Sequence, residues 1–184
     1  MGRITILACL LVGVLTAGCD ISIIIPDPND MAPEDLFALM DEATDIVRDE
    51  FPDARLVEVF GFPDQGAGLA YEAEDLVDWE FWFVDDIDDP TPGQVVLPYE
   101  NGVFGNLLIS DEPITGTVYD RLPEDVTYQE AIDILRDDGI TSGFENINLR
   151  KLLQIPEPDE AYYIFAFPDD SFIAVGAESG DIIE

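Results

Sequence analysis

The sequence predicts an α+β fold built from two repeated units, each a helix followed by an antiparallel sheet of about three strands. The first observation is a repeated phrase: residues 42–49 read EATDIVRD and residues 130–137 read EAIDILRD, with six of eight positions identical. The second is a pair of runs that alternate large apolar residues, WEFWFVDD at 79–86 and YIFAFPDD at 163–170. Alternation with a period of two is typical of a strand with one buried face. The same order of phrases in both halves indicates a duplicated unit, with two sheets or one continuous sheet.

Residues 1–18 are predicted to form a signal peptide. Arg3 precedes an uncharged apolar run that leads into the motif AGC at 17–19. A basic start, an apolar run too short for a permanent span and small residues at the end are typical of secretory signals. The motif resembles the lipobox of bacterial lipoproteins, which implies cleavage before Cys19, acylation of its thiol and new amino group, and attachment to the membrane through that lipid. The alternative is an ordinary secreted protein in which Cys19 lies near a cleavage site by chance.

The lipoprotein resemblance also bears on location in the bacterial cell envelope. In some Gram-negative bacteria, an aspartate after the acylated cysteine keeps a lipoprotein in the inner membrane, so Asp20 slightly favours that membrane, with the protein on its periplasmic side. Cys9 lies within the signal peptide, so the mature chain has no cysteine pair for a disulfide. Stability must come from a core, for which a chain with 47% hydrophobic residues is long enough.

Residues 19–33, which begin with the acylated cysteine, are predicted to be a short tether, because prolines and aspartates dominate there. An edge strand at ISIII, 21–25, is the alternative. Residues 34–120 form the first predicted unit with connecting strands. Its helix is predicted to begin at Pro33, which suits a first helical position, and to stop before Pro52. The apolar stripe that predicts this helix consists of Leu36, Met40, Ala43 and Val47.

Residues 121–184 form the second predicted unit. Thr127 followed by Glu130 is a capping-box pattern at the start of a helix, and Gly139 is the predicted C-terminal cap. Further β-rich runs at 94–99 and 171–177 follow the two alternating runs, and more strands and turns are expected at 99–120. The helix and strand phrases lie 37 residues apart in the first unit and 33 in the second, and a loop such as 60–68 accommodates the difference.

The second unit carries a family resemblance. Its helix, extended strand and closing hairpin FIAVGAESGDII resemble the PepSY-like domains of secreted bacterial proteins. Ser179 and Gly180 match the closing turn of that family, whereas Ala177 stands where aspartate is common. The likeness covers 127–184 better than 34–99, which lacks the closing turn. It implies an α+β fold and a role in binding or restraining extracytoplasmic proteins, proteases among them.

The composition excludes most catalytic chemistry and nucleic-acid binding. The chain has no histidine, and Lys151 is its only lysine. Ser–His and Cys–His relays and zinc sites built from histidine or thiolate are therefore impossible. Catalysis by a pair of carboxylates, as in glycosidases, remains chemically possible. Among 41 acidic residues, however, closely spaced carboxylates are expected by chance, and we do not expect an enzyme. A formal net charge of −34 leaves no basic patch to neutralise phosphates.

The acidity allows two interpretations. The preferred one is a solvated, self-repelling surface; the alternative is divalent-cation binding or a basic partner. The densest cluster, DDIDDP, contains Asp85, Asp86, Asp88 and Asp89, whose oxygens are ligands of the kind that Ca²⁺ takes. The cluster lacks the glycine and the bidentate glutamate of an EF-hand, and aspartate favours turns for local backbone reasons. A turn is the preferred interpretation, and no other cofactor is expected.

Trp82 is the candidate contact with a partner. In WEFWFV, the residues Trp79, Phe81 and Phe83 are predicted to be core, and Trp82 points to the opposite face of the strand. Tryptophan is over-represented at the centres of protein interfaces. The sequence therefore favours a membrane-anchored extracytoplasmic lipoprotein that acts as a non-catalytic protein-binding or inhibitory module, with a partner of unknown identity. The alternative is a Ca²⁺-responsive acidic structural module of the cell envelope.

Overall fold

The structure is a computed structural model of the chain, and it describes residues 35–64, 66–85, 93–110, 125–151 and 160–183. Several sequence predictions fall outside these ranges. They are the signal peptide, the tether, the acylation site Cys19 with Asp20, and the acidic residues Asp86, Asp88 and Asp89. Trp82 and Asp85 lie within the described part of the chain.

A single antiparallel sheet dominates the fold. Its nine strands follow the order β4-β3-β2-β1-β6-β7-β8-β9, with β5 paired to β3 beside β4. The helices are α1 (Leu36–Glu50) and α2 (Tyr128–Asp137), and a 3₁₀ turn spans Ala73–Asp75. The strands are β1 (Arg55–Pro63), β2 (Leu76–Val84), β3 (Gln94–Glu100), β4 (Val103–Phe104), β5 (Leu108–Ser110), β6 (Asn146–Lys151), β7 (Ala161–Ala166), β8 (Phe172–Gly176) and β9 (Ile182–Ile183).

The predicted arrangement of two repeated helix–sheet units is wrong. Strands β1 and β6 pair with each other at the centre, where Val59 faces Leu149 and Gly61 faces Ile147, so all nine strands belong to one sheet. Residues 60–63, the first part of the predicted loop 60–68, form the second half of β1. The physical reason is that a strand left at an edge exposes unpaired N–H and C=O groups. The β1–β6 pairing satisfies these groups on both strands at once.

The helix α1 begins later than predicted. Asp35 is its N-cap, and the Asp35 side chain accepts hydrogen bonds from the backbone N–H groups of Phe37 and Ala38 at 3.1 and 3.3 Å. Aspartate is a strong N-cap, and this cap moves the start from the predicted Pro33 to Leu36. The C-terminal end at Glu50, just before Pro52, is as predicted.

The helix α2 has the predicted ends. The Thr127 side chain accepts from the Glu130 N–H at 3.2 Å, and the Glu130 carboxylate accepts from the Thr127 N–H at 2.8 Å. The bond from the Thr127 N–H lowers the pKa of Glu130, and so does a bond that the Thr127 hydroxyl donates to the same carboxylate at 2.9 Å. Gly139 follows the helix with a φ of 91°, which glycine adopts readily. The N–H of Ile140 donates to the carbonyl of Leu135 at 3.0 Å, which closes a Schellman motif.

Both helices pack on one face of the sheet, which we call the inner face. Trp79, Phe81 and Phe83 of β2 are each no more than 1% exposed there, which confirms their prediction as core. Trp79 contacts Tyr128 of α2 edge to face, with ring centroids 5.1 Å apart. The apolar residues of both helices belong to the same continuous cluster, so one core holds the described domain together.

Candidate functional site

The opposite face of the sheet, which we call the outer face, carries two rows of side chains across the central strands. Since neighbouring strands are in register, each row joins residues that face one another as Cα partners. The first row is Val96, Trp82, Glu58, Arg150, Tyr162 and Gly176. The second row is Pro98, Glu80, Phe60, Asn148, Ile164, Ala174 and Ile183. The rows place an aromatic patch, a polar centre and an apolar cluster side by side.

The aromatic patch consists of Phe60, Phe62 and Trp82. All three are half-buried. The Phe60 ring stacks on Phe62 with centroids 6.0 Å apart and lies tilted by 59° against Trp82 with centroids 5.8 Å apart. The indole N–H of Trp82 donates to the Glu80 carboxylate at 3.0 Å. Trp82 therefore lies on the predicted face, away from the core, and its polar end is held by a neighbour on its own strand. Such a fixed, partly open aromatic surface is what protein interfaces use as an anchor.

The polar centre lies beside the aromatic patch. The Arg150 guanidinium and the Asn148 amide both donate to Oε1 of Glu58, at 3.3 and 2.7 Å. The Arg150 side chain is 41% exposed and the Glu58 side chain 15% exposed, so the pair is open to solvent from the arginine side. This leaves a cation on the surface of a strongly acidic chain. Aromatic residues and arginine are the side chains most enriched in binding hot spots.

An apolar cluster completes the outer face on the other side of the polar centre. Tyr162, Ile164 and Ala174 form a small buried cluster against which Ile183 of β9 packs. Burial raises the pKa of the Tyr162 phenol, and the nearby carboxylates of Glu160 and Asp181 raise it further. The sequence predicted the alternation of this strand but gave no signal that its second face would also be buried.

A second missed feature is the buried carboxylate of Glu160, which is 4% exposed. It accepts hydrogen bonds from the backbone N–H groups of Glu178 and Ser179, both at 2.8 Å, and from the Ser179 hydroxyl at 2.7 Å. Gly176 allows this approach, because a Cβ there would lie 2.8 Å from the carboxylate oxygens. Gly180 has the positive φ, 71°, of a turn residue. Glu160 thus fixes the turn before β9.

A groove, missed by the sequence analysis, lies between α1 and the β3–β4 hairpin. We call it the α1 groove; it has a volume of about 510 Å³. Its lining is Asp35, Ala38, Leu39, Glu42 and Ile46 on α1, and Tyr99, Gly102, Val103 and Phe104 on the hairpin. Leu39, Tyr99 and Phe104 are buried or half-buried, whereas Val103 is 64% exposed at the rim. The groove is thus apolar with an acidic margin.

The described residues provide no metal centre: they contain no group of three or more carboxylate or cysteine side chains placed to hold an ion. Asp85 follows β2 directly, is half-buried, and its N–H donates to the carbonyl of Gly93 at 3.2 Å. This bond extends the pairing of β2 with β3 by one residue, and the choice between a turn and a Ca²⁺ site at 85–89 stays a prediction. None of the described helices is long and apolar enough to span a bilayer.

Comparison with known proteins finds a solved structure with a similar fold but does not assign the chain to a family. No protein-family model matches the chain, so the PepSY resemblance stays a prediction. No curated protein matches either. A crystal structure of a candidate lipoprotein from Clostridium difficile 630 is similar to this chain, with 16% identity, a TM-score of 0.48, and coverage of 78% of this chain and 89% of that one. At this identity and TM-score, the similarity assigns no activity.

Proposed function

We propose that this protein is a lipoprotein of the bacterial cell envelope, anchored through Cys19, whose folded domain binds an extracytoplasmic protein without catalysing a reaction. The observation that carries the binding role is the aromatic patch next to the polar centre on the outer face. Phe60, Phe62 and Trp82 are not needed to cover the helix-packed core, since they lie on the opposite side of the sheet from it. Contiguous apolar surface of this kind marks interaction sites.

The chemistry of the rest of the chain supports a non-catalytic role. The sequence has no histidine, and the buried carboxylate Glu160 is occupied by hydrogen bonds of its own turn. The PepSY resemblance of residues 127–184 extends the proposal to restraint of the bound protein, for which a protease is one class of partner. Inhibition and simple binding use the same surface.

Affinity purification from native membranes tests the proposal. The full chain with a C-terminal tag is compared with Trp82→Ala, which removes the centre of the aromatic patch. We expect a stoichiometric partner with the unchanged protein and its loss, by about tenfold or more, with the variant, because truncation of a hot-spot residue costs 2 kcal/mol or more. Tyr71→Ala is the matched control, since Tyr71 is another aromatic residue with surface exposure, 49%, but lies outside the outer face.

Equal recovery of the partner by Trp82→Ala and Tyr71→Ala would contradict the assignment of the outer face. The anchor is tested separately by Cys19→Ser in the same cells. The serine variant is expected in the soluble extracytoplasmic fraction instead of the membrane fraction, because serine offers no thiol for the acylation that would supply the lipid anchor. Membrane retention of Cys19→Ser would contradict lipid anchoring and leave the binding role intact.

A further inference from the structure

The α1 groove has a rigid wall. Glu100 and Val103 face each other across a two-residue turn made of Asn101 and Gly102, whose φ angles are 53° and 78°. Positive φ at both central residues is the signature of a type I′ turn, which matches the twist of the strands it joins. The Phe104 ring is fixed from below by Tyr99, with centroids 4.9 Å apart, and by Phe81 at 5.9 Å. The groove is therefore preformed.

The charged side chains that line the groove are both acidic, Asp35 and Glu42. Neither forms an ion pair with another described residue, in contrast to Glu58, which pairs with Arg150. Further negative charge lies on the same hairpin, at Glu100. Burial raises the pKa of Asp78, and repulsion from Glu100 raises it further, against a hydrogen bond from the Asn101 N–H that lowers it. Glu100 and Asp78 thus add negative charge near the acidic margin of the groove.

We propose that the α1 groove binds an extended segment of a partner protein that carries lysine or arginine beside a large apolar side chain. The apolar side chain occupies the floor formed by Leu39, Tyr99 and Phe104, and the basic side chains reach the margin at Asp35 and Glu42. A preformed pocket of this volume is of the size that buries a ligand of a few side chains. Complementary charge increases the rate and the specificity of such an encounter.

Charge favours a basic partner segment in the α1 groove over two other possible occupants, the chain's own tether and a second copy of the chain. The predicted tether, residues 19–33, precedes α1 in the chain, but its charged residues are Asp20, Asp27 and Asp30, which the acidic margin repels. A second copy of the chain carries the same net charge of −34. A basic segment of another protein is the occupant that both the apolar floor and the acidic margin favour. The inference goes beyond the proposed function, since it adds a second surface and the chemistry of what binds there.

The test uses the full chain purified in mild detergent and a short fluorescent peptide that alternates lysine and leucine. Two probe controls replace lysine by glutamate and leucine by serine. Fluorescence anisotropy is expected to show saturable binding for the lysine–leucine peptide and at least about tenfold weaker binding for each control. Loss of the difference between the leucine and serine peptides would overturn the proposal, because attraction to an acidic surface alone needs no apolar floor.

Two sets of variants locate the binding. Asp35→Asn with Glu42→Gln removes the acidic margin while asparagine keeps the N-cap, and we expect binding about threefold to tenfold weaker. Ala38→Lys places a cation in the groove and pairs it with Glu42 one turn on, so we expect a comparable loss. Asp133→Asn with Asp137→Asn is the matched control, because it removes the same charge from the exposed side of α2.

The outcomes are distinct from those of the outer-face experiment. Weaker binding by the groove variants, with no change in the α2 control, supports the α1 groove. Equal weakening of binding by all charge variants, the α2 control included, overturns the proposal in favour of non-specific attraction to the acidic chain. Undiminished binding by Ala38→Lys also overturns it, because the peptide would then bind outside the groove. The Trp82→Ala protein is expected to bind the peptide like the unchanged protein, so failure of the groove and failure of the outer face are told apart.

Discussion

The inner and outer faces of the sheet come from the same strands but are built differently. On the inner face, large apolar residues such as Phe81 and Phe83 pack against both helices, and Tyr163 keeps its hydroxyl satisfied by donating to the carbonyl of Val126 at 2.9 Å. On the outer face, Phe60, Phe62 and Trp82 are half-buried and lie beside the Glu58–Arg150 pair. Both faces carry large apolar side chains, but the described helices cover only the inner face.

This difference separates folding from function along one strand. Residues that point inward are constrained by close packing, where loss of even one methylene group is felt. Residues that point outward contribute less to stability, so an aromatic side chain kept there requires another reason. Binding supplies that reason for Trp82, whose neighbours on either side, Phe81 and Phe83, belong to the core.

The largest expected effect comes from substitutions at adjacent positions. Phe81→Ala is expected to lower the free energy of unfolding by about 3–5 kcal/mol, because it removes a fully buried ring and leaves a cavity. Trp82→Ala is expected to cost only about 1–2 kcal/mol, since that ring is half-buried. Urea unfolding followed by circular dichroism measures both values. Similar costs at the two positions would mean that the outer face is as tightly covered as the inner one.

Gly61 tests how close the inner-face packing is. A Cβ at this position would lie 2.6 Å from the Trp79 ring and 2.8 Å from the Ile147 side chain. The backbone of β1 therefore lies so close to these side chains that only glycine, which has no Cβ, fits without a shift. Gly61→Ala is expected to lower stability by about 1–3 kcal/mol through overpacking. The control is Gly66→Ala, because the nearest atom to a Cβ there is 3.7 Å away. A neutral Gly61→Ala, measured by the same unfolding curves, would show that the Trp79 ring can move.

The sequence predicted local features better than the connection between them. The capping box of Thr127 and Glu130, the turn glycine Gly139 and the inward residues of β2 all depend on residues close together in the chain, and all are confirmed. The joining of the sheet at β1 and β6 depends on residues about 90 positions apart, such as Glu58 and Asn148. Periodicity within one segment carries no information about such a partner.

The repeated phrase illustrates the same limit. Arg48 and Arg136 occupy the same place in EATDIVRD and EAIDILRD, but Arg48 donates to the carbonyl of Ala54, whereas Arg136 donates to the carbonyls of Ile140, Ser142 and Tyr71. Glu42 lines a groove, and its counterpart Glu130 caps a helix. Identical letters acquire different roles from the elements packed beside them. The face of Trp82 was predictable from alternation, but its setting beside Phe60 and Glu58 came from strand pairing.

Two adjacent tyrosines compare the faces by pH. Burial raises the pKa of Tyr163 on the inner face above its usual range, and it also raises the pKa of Tyr162 on the outer face. A phenol whose pKa is higher in the folded chain stabilises the fold below the unfolded-state value of about 10, and this stability is lost as the pH rises above that value. Tyr163→Phe is expected to lose about 0.5–1.5 kcal/mol at neutral pH with its hydrogen bond to Val126.

The same variant is expected to show a shallower loss of stability at alkaline pH than the unchanged protein, since its unfolded chain has one phenol fewer to ionise. Tyr162→Phe is the matched comparison on the outer face, and its alkaline profile should change less, because Tyr163 is the more strongly shifted group. Thermal melts across the alkaline range measure both. A larger change in the alkaline profile for Tyr162→Phe than for Tyr163→Phe would contradict the stronger pKa shift of the inner-face tyrosine.

The smallest expected effect is the energy of the Glu58–Arg150 pair. A double-mutant cycle with Glu58→Gln and Arg150→Met should give a coupling of about 0.2–1 kcal/mol that decreases with salt, because the arginine is 41% exposed and its charge is screened by solvent. A coupling of about 3 kcal/mol or more would be that of a desolvated pair and would make the outer face a second core. A weak coupling together with loss of the co-purifying partner from Arg150→Met is the result that separates the faces most sharply. It would show that the charge of Arg150 contributes little to the stability of the fold but is required for binding of the partner.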